Sequence, residues 1–374
     1  MRVSAVFLIL LSVSAFGKPL IIKPNNENIT IIGRAEVKKD KTIFSHAGVQ
    51  IRFDFKGRSL AVGLTDMTND FPENLNFYNV YINDSLIKVI KVMPSKKWYN
   101  IDYLFNDIMV EVSIFKRTEA MCGGAIFQGL KVSEGSEIHK TKLKSRKIEW
   151  IGDSFTAGYG NLVSNPIPPE GNPTTGFNAK NEDNSLAWGS VASKSLNAEY
   201  MCTAFSGKGV YRNYDKSEEG TLPKIYNLIA PGLSDEKWDF LRYQPDLIVV
   251  NLGQNDFGSE THSVPVMTDS LRFTTAYLEL LEMIRAHNAN AKILITIGGG
   301  LSDYYPANFK RLSRSRLWLK NISQNFNKRY PGICSVFELQ LIKPPYGEDW
   351  HPSLKSHQLM ADQAIVFIKK FMNW

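Results

Sequence analysis

Four short segments carry the residue types that acyl transfer needs, and each follows an apolar, strand-like run. Gly152-Asp153-Ser154 follows Ile148 to Ile151, and Ser206-Gly207-Lys208-Gly209 follows Tyr200 to Phe205. Gly253-Gln254-Asn255-Asp256 follows Leu247 to Leu252. Glu348-Asp349-Trp350-His351-Pro352 comes after Cys334 to Leu339 and a loop, just before the last helical stretch. A serine hydroxyl is a poor nucleophile at neutral pH and needs a base within hydrogen-bond reach, usually histidine. The imidazole in turn needs an acceptor that fixes its tautomer, often a carboxylate. The oxyanion needs preorganised donors, for which a backbone N–H at a helix start, a glycine N–H and an Asn amide are suited. Ser154 as nucleophile, His351 as base, Asp349 as its partner, and the Ser154 N–H, Gly207 N–H and Asn255 amide as oxyanion hole fill these roles in one set.

Taken singly, each segment is ordinary. Gly-Asp-Ser is a common helix start, Gly-x-Asn-Asp a common turn, and Asp-Trp-His-Pro a loop with proline at a helix start. Asp153 and Asp256 read as supports of their turns. All four segments in order at strand ends point to a serine hydrolase. A G-x-S-x-G elbow is absent around Ser154, which argues against the ordinary α/β-hydrolase arrangement.

Two kinds of element must position these residues. From Val49 to Ile114 the pattern has period two: Val49, Ile51, Phe53 and Phe55, then Leu60, Val62 and Leu64, then Tyr78, Val80 and Ile82, then Ile108, Val110, Val112 and Ile114. Turn formers separate these runs, as expected of an antiparallel β-sandwich with one core face and one wet face per strand. The sandwich is expected over residues 18–138, and the basic run 139–147 (HKTKLKSRK) as a solvated linker. From residue 148 to 374, near-continuous apolar strands alternate with amphipathic stretches at Ser185 to Leu196, Thr268 to His287, Asn308 to Arg329 and Ser353 to Phe371. That alternation predicts a parallel sheet with helices on both faces and a crevice at the strand carboxyl ends.

In their order, the GDS segment, the later glycine, the G-x-N-D element and the terminal His-Pro resemble the SGNH (GDSL) hydrolases over roughly residues 146–374. An N-terminal sandwich followed by IGDSFTAGYGN, SGKGV and DWHPS is similar to carbohydrate esterase family 2, over nearly the whole chain after residue 18. The resemblance implies a jelly-roll-like domain before a three-layer SGNH domain, a serine esterase that removes O-acetyl groups from plant-type polysaccharides such as xylan or glucomannan, and no cofactor. It places Trp350 and Tyr211 where aromatic rings can meet a sugar. In the broad SGNH pattern the acid lies three residues before the histidine, which is Glu348 here. Asp349 is favoured over Glu348, and a backbone carbonyl is a third way to orient His351.

The bulk numbers agree with a globular enzyme. The chain has 374 residues, 43% hydrophobic and 22% charged, with a net charge of +7, and its length favours two domains. No nucleic-acid motif stands out. Arg2, the apolar stretch Val6 to Val13 and Ser14-Ala15-Phe16-Gly17 read as a secretory signal peptide over residues 1–17, so the enzyme is expected to be secreted or periplasmic, with no membrane insertion. Cys122, Cys202 and Cys334 form neither a disulfide framework nor a zinc site. His46, His139, His262, His287 and His357 show no metal-ligand spacing with a third partner, so no metal is assigned. The expected partner is an acetylated polysaccharide or oligosaccharide. Two other readings stand beside it: a GDSL-type lipase or general esterase, and a carbohydrate-binding protein without catalysis. The polar loop Asn161 to Asn184 does not form an apolar lid, and Ser154, Asn255 and His351 are all present.

Overall fold

Alternating apolar residues make the first half of the chain a two-sheet structure. A computed structural model describes residues 18–67 and 74–374; the expected signal peptide, residues 1–17, lies outside them. The N-terminal strands are β1 (Leu20–Ile22), β2 (Thr30–Ile32), β3 (Glu36–Val37), β4 (Thr42–Phe44), β5 (Gln50–Lys56), β6 (Leu60–Met67), β7 (Phe77–Ile82), β8 (Ser85–Lys91), β9 (Trp98–Asn100), β10 (Val110–Lys116), β11 (Gly124–Val132) and β12 (Glu137–His139). They form two antiparallel sheets, ordered β3-β4-β11-β6-β9 with β1 on β11, and β12-β5-β10-β7-β8 with β2 on β5. Ile51, Phe53 and Phe55 of β5, Val112 and Ile114 of β10, and Val62 and Leu64 of β6 share one buried core between the sheets. This is the sandwich that the period-two pattern predicts.

The outer face of the second sheet is not wet along its whole length, as the alternation had implied. Arg52, on β5, points outward and donates to Glu199 at 2.8 Å. Asn79, on β7, donates to Asp183 at 2.9 Å. Phe115 stacks on Tyr200 with ring centroids 6.2 Å apart. Arg34 forms a fully buried pair with Glu149 at 3.0 Å. Removing one partner of such a pair costs about 3–5 kcal/mol, because the other charge is left buried alone. The polar residues of the sandwich therefore face the second half of the chain as much as they face water.

That second half is built on β13 (Arg146–Gly152), β14 (Ala198–Ala204), β15 (Leu247–Asn251), β16 (Lys292–Ile297) and β17 (Cys334–Glu338), all parallel in the order β14-β13-β15-β16-β17. Its helices are α1 (Ser154–Ala157), α2 (Trp188–Ser195), α3 (Leu222–Ile225), α4 (Gln254–Gly258), α5 (Ser270–His287), α6 (Arg311–Arg329) and α7 (Leu354–Met372). Successive strand side chains go to opposite faces. Ile248, Val250, Ile293 and Ile295 pack with Tyr277 and Leu280 of α5 and Leu319 and Phe326 of α6. Leu247, Val249, Leu294 and Trp150 pack with Trp188 and Ala192 of α2 and Met360, Ala364 and Ile368 of α7. Both faces are covered, so the strands are apolar throughout rather than alternating.

The basic run 139–147 overlaps the end of β12 and the start of β13. It is tied down along its length: Thr141 donates to Asp54 at 2.8 Å, and the backbone N–H groups of Lys144 and Lys147 donate to Glu199 and Asp246, each at 2.8 Å.

Candidate active site

The sheet order decides where the chemistry sits. The chain enters at β13, moves to β14 on one side, then crosses to β15 on the other. The loops after β14 and β15 therefore leave in opposite directions from the carboxyl end of β13. That switch point is where a parallel sheet opens a crevice, and Ser154 stands two residues past Gly152, the last residue of β13. Asp153 caps α1, accepting from the Phe155 N–H at 3.1 Å. Gly158 ends the helix in the left-handed region at φ 93°.

His351 reaches the serine from the loop before α7. Its Nε2 lies 2.8 Å from Ser154 Oγ, and its Nδ1 lies 2.9 Å from the Glu348 carbonyl oxygen. With Nδ1 carrying the proton and donating to that carbonyl, Nε2 is left free to accept from the serine hydroxyl. The loop is shaped for this contact: Asp349 and Trp350 both have positive φ, 48° and 65°. Gly160 accounts for another part of it. A Cβ there would sit 2.4 Å from Glu348 Cβ, and the Gly160 carbonyl accepts from the Glu348 N–H at 3.1 Å. Only glycine lets the nucleophile turn press against the segment that holds the histidine.

Two backbone donors lie just past the ends of β13 and β14, at Ser154 and Gly207. Among the described residues, neither the Ser154 N–H nor the Gly207 N–H has an acceptor. Gly207 lies at φ 77°, with nothing within 4 Å of where a Cβ would be. The loop beyond it is held by Asp256, whose carboxylate accepts from the backbone N–H groups of Val210, Tyr211 and Arg212 at 2.9 to 3.1 Å. The Asn255 amide donates to the Lys208 carbonyl at 2.9 Å and to Asp153 Oδ2 at 3.3 Å. Burial raises the Asp153 carboxyl to about 7, and the nearby Asp256 and Glu119 carboxylates push the same way.

Residues 150–359, more than half of the chain, match the GDSL-like lipase/acylhydrolase family. This chain belongs to the GDSL-like lipase/acylhydrolase family. Residues 31–141 match the carbohydrate esterase 2 N-terminal domain, so the two halves are paired as in family 2 carbohydrate esterases. A cellulase/esterase CelE of Acetivibrio thermocellus is 32% identical over 265 residues, 70% of this chain and 30% of that protein. The chain thus spans about a third of the length of that relative. An acetylxylan esterase / glucomannan deacetylase of Cellvibrio japonicus is 25% identical over 370 residues, 95% of this chain and 89% of the other. A family two carbohydrate esterase from Clostridium thermocellum, solved in complex with cellohexaose, superposes with a TM-score of 0.81 at 25% identity, covering 92% of this chain and 99% of that one.

Within this GDSL-type site, two residues expected from sequence do something else. The Asp349 carboxylate does not meet His351. It accepts from the Thr175 and Gly176 N–H groups at 3.0 and 2.9 Å, and from the Tyr159 hydroxyl at 2.6 Å. The left-handed backbone at Asp349 turns its side chain toward the 173–176 loop, whose bare N–H groups need an acceptor. Glu348 likewise binds Asn181 Nδ2 at 2.5 Å and the Asn178 N–H at 3.0 Å, and only its carbonyl serves His351. The polar stretch Asn161 to Asn184 is thus the clamp that shapes the histidine loop.

Tyr211 does not offer a ring to a ligand either. It is only 7% exposed, and its hydroxyl accepts from the Asp269 N–H at 3.0 Å at the start of α5. Trp350 is 46% exposed, with its indole N–H donating to Thr174 Oγ1 at 3.2 Å.

Sequence reasoning missed Tyr159. Its ring stacks on the imidazole of His351 at 4.1 Å between centroids, with 23° between planes. Phe155 stands on the histidine at 5.6 Å. These rings desolvate the imidazole and hold its pKa down at about 4, although the Glu348 carbonyl and the Asp349 charge pull it back up. The signal for Tyr159 lay in the GYGN that ends the nucleophile segment, but nothing in its type distinguished a stacking ring from a core one. His357 is a packing residue, buried and accepting from the Trp188 N–H at 3.2 Å through Nδ1.

Proposed function

We propose that this protein is an exported serine esterase that removes O-acetyl groups from plant-type polysaccharides such as xylan or glucomannan. The observation that carries this reading is the 2.8 Å contact between Ser154 Oγ and His351 Nε2, in a chain where the Ser154 and Gly207 N–H groups have no acceptor among the described residues. His351 takes the hydroxyl proton as Ser154 Oγ attacks the acetyl carbonyl. The oxyanion is met by the Ser154 and Gly207 N–H groups. The Asn255 amide joins them by exchanging its 3.3 Å contact with Asp153. His351 returns the proton to the departing sugar hydroxyl, leaving an acetyl-serine. Water then attacks the acetyl carbonyl with His351 as base, the bond to Ser154 Oγ breaks, His351 returns the proton to that oxygen, and acetate leaves. The carbohydrate substrate is supported by the names of the relatives and by Trp350, an exposed ring beside the base. Export rests on the leader-like residues 1–17. The reading is tested by acetate release from acetylated xylan and glucomannan, wild type beside Ser154→Ala; hydrolysis only of long acyl esters would make it a lipase.

Asp349→Asn is expected to cost less than about tenfold in kcat, because the Glu348 carbonyl, not this carboxylate, fixes the tautomer. Where a carboxylate does hold the imidazole, the same change costs roughly 10⁴-fold. Steady-state kinetics on a soluble acetyl ester decide between the two.

The pH profile gives a second expectation. His351 acts as base only when neutral, so activity is present above its pKa and lost as pH falls through it. Burial sets that pKa at about 4, so the acid limb of kcat/KM is expected near pH 4 rather than near the usual imidazole value. Asp349 raises the His351 pKa by its charge, so in Asp349→Asn the limb moves to still lower pH. An acid limb at 6 to 7 in wild type would show that the imidazole is not desolvated.

A further inference from the structure

One buried acidic pair takes no part in that chemistry, yet it touches the loop that supplies a donor. Glu119 follows β10 in the sandwich, and Glu182 closes the 161–184 loop; both are fully buried. Glu119 Oε2 accepts from the Ser206 N–H at 2.7 Å, and its Oε1 accepts from the Ser206 hydroxyl. The Glu119 N–H donates to Glu182 Oε2 at 2.9 Å. The Glu182 Oε1 atom is buried with no hydrogen-bond partner among the described residues. Burial raises the pKa of both carboxyl groups. The side-chain nitrogen of Lys116, also buried, donates to the Thr118 carbonyl at 2.5 Å and the Glu119 carbonyl at 3.3 Å.

Ser206 is the residue before Gly207. The Gly207 N–H belongs to the peptide that joins them, so whatever fixes Ser206 aims that N–H. Gly207 cannot aim it alone, having neither a side chain nor any neighbour against which one would pack. From the far side, the Gly207 carbonyl accepts from the Tyr214 N–H at 2.9 Å. From the near side, the two Glu119 contacts are the hydrogen bonds that hold Ser206.

We propose that Glu119, a residue of the N-terminal sandwich, is a positioning residue for ester hydrolysis: it clamps Ser206 by its N–H and its hydroxyl and so points the Gly207 N–H at the oxyanion. The proposal rests on the serine-esterase reading above. It gives the sandwich a part in the chemical step. A misdirected donor costs turnover more than ground-state binding, because the charge it serves develops only on the way to the tetrahedral intermediate.

The test compares wild type, Ser154→Ala, Glu119→Gln and Ser206→Ala on one soluble acetyl ester. For the proteins that keep Ser154, turnover is expressed per Ser154 labelled to completion by an active-site phosphonate; for Ser154→Ala it is expressed per total protein. A purely structural role would lower the labelled fraction, not turnover per labelled site. The expected result for Glu119→Gln is a kcat per site lower by roughly 10- to 100-fold with KM within about threefold, in the range of losing one oxyanion donor. Ser206→Ala keeps the N–H contact and is expected to lose about three- to tenfold. Values within twofold of wild type in both variants overturn the proposal. If Glu119→Gln does not fold, Ser206→Ala decides by the same criterion. A wild type that hydrolyses no ester, or a Ser154→Ala as active as wild type, overturns the esterase reading itself and this inference with it.

Discussion

Ser154→Ala is expected to lower acetate release by roughly 10⁴-fold or more, with the fold intact. The hydroxyl is the only part removed. The backbone keeps its course, because Asp153 still caps α1 and the Gly158 N–H still bonds to the residue 154 carbonyl. Ser154 is buried and its Oγ contacts His351 Nε2, so the variant loses one hydrogen bond and leaves one imidazole nitrogen without a partner. That costs on the order of 1–3 kcal/mol at most. A thermal melt within a few degrees of wild type is the control. The residual rate reports what the N–H donors and substrate binding do without a nucleophile. Full activity in the variant would mean that another group attacks the ester, and the proposed assignment of Ser154 would fall.

The fold was legible where burial imposes a period. Ile51, Phe53 and Phe55 alternate because one sandwich core takes every second residue, and Leu247 to Val250 do not alternate because helices cover both faces. Helix ends drifted by a few residues: the stretch expected from Ser185 begins as a helix only at Trp188, after a 3₁₀ turn over Asn184–Leu186. Candidates for the nucleophile, the base and the oxyanion-loop glycine were legible because acyl transfer leaves few residue types to choose from, and the structure brings Ser154 and His351 together. What supports them was not. The acceptor for His351 is a backbone carbonyl, and every residue has one; only the left-handed turn at Asp349 and Trp350 selects Glu348. Tyr211 failed as a sugar platform because its hydroxyl meets the first turn of α5, a contact across 58 residues. Arg52 and Asn79 sit at the polar positions of the alternation, and Glu119 lies outside it. Their partners Glu199, Asp183 and Ser206 lie more than 80 residues away in sequence, beyond the reach of any local pattern.

His351→Ala is expected to lower kcat by roughly 10⁴-fold, and the double variant with Ser154→Ala to be no slower than the slower single one. The two side chains make one device. Without the imidazole, the serine keeps its proton and attacks as an alcohol; without the serine, the imidazole has nothing to deprotonate. Effects of residues that act as a unit therefore do not add. The same geometry explains why Asp349→Asn stands apart. A carboxylate on Nδ1 would stabilise the imidazolium by its charge, whereas the Glu348 carbonyl does so only by its dipole, at 2.9 Å. The enzyme thus relies on orientation more than on a buried charge. The stacked ring of Tyr159, tied by its hydroxyl to Asp349, adds to that orientation. Kinetics of the two single variants and the double variant on one ester complete the cycle. Additive losses, with the double variant roughly 10⁴-fold below either single one, would show that Ser154 and His351 act separately. The 2.8 Å contact between them would then not be the reacting pair.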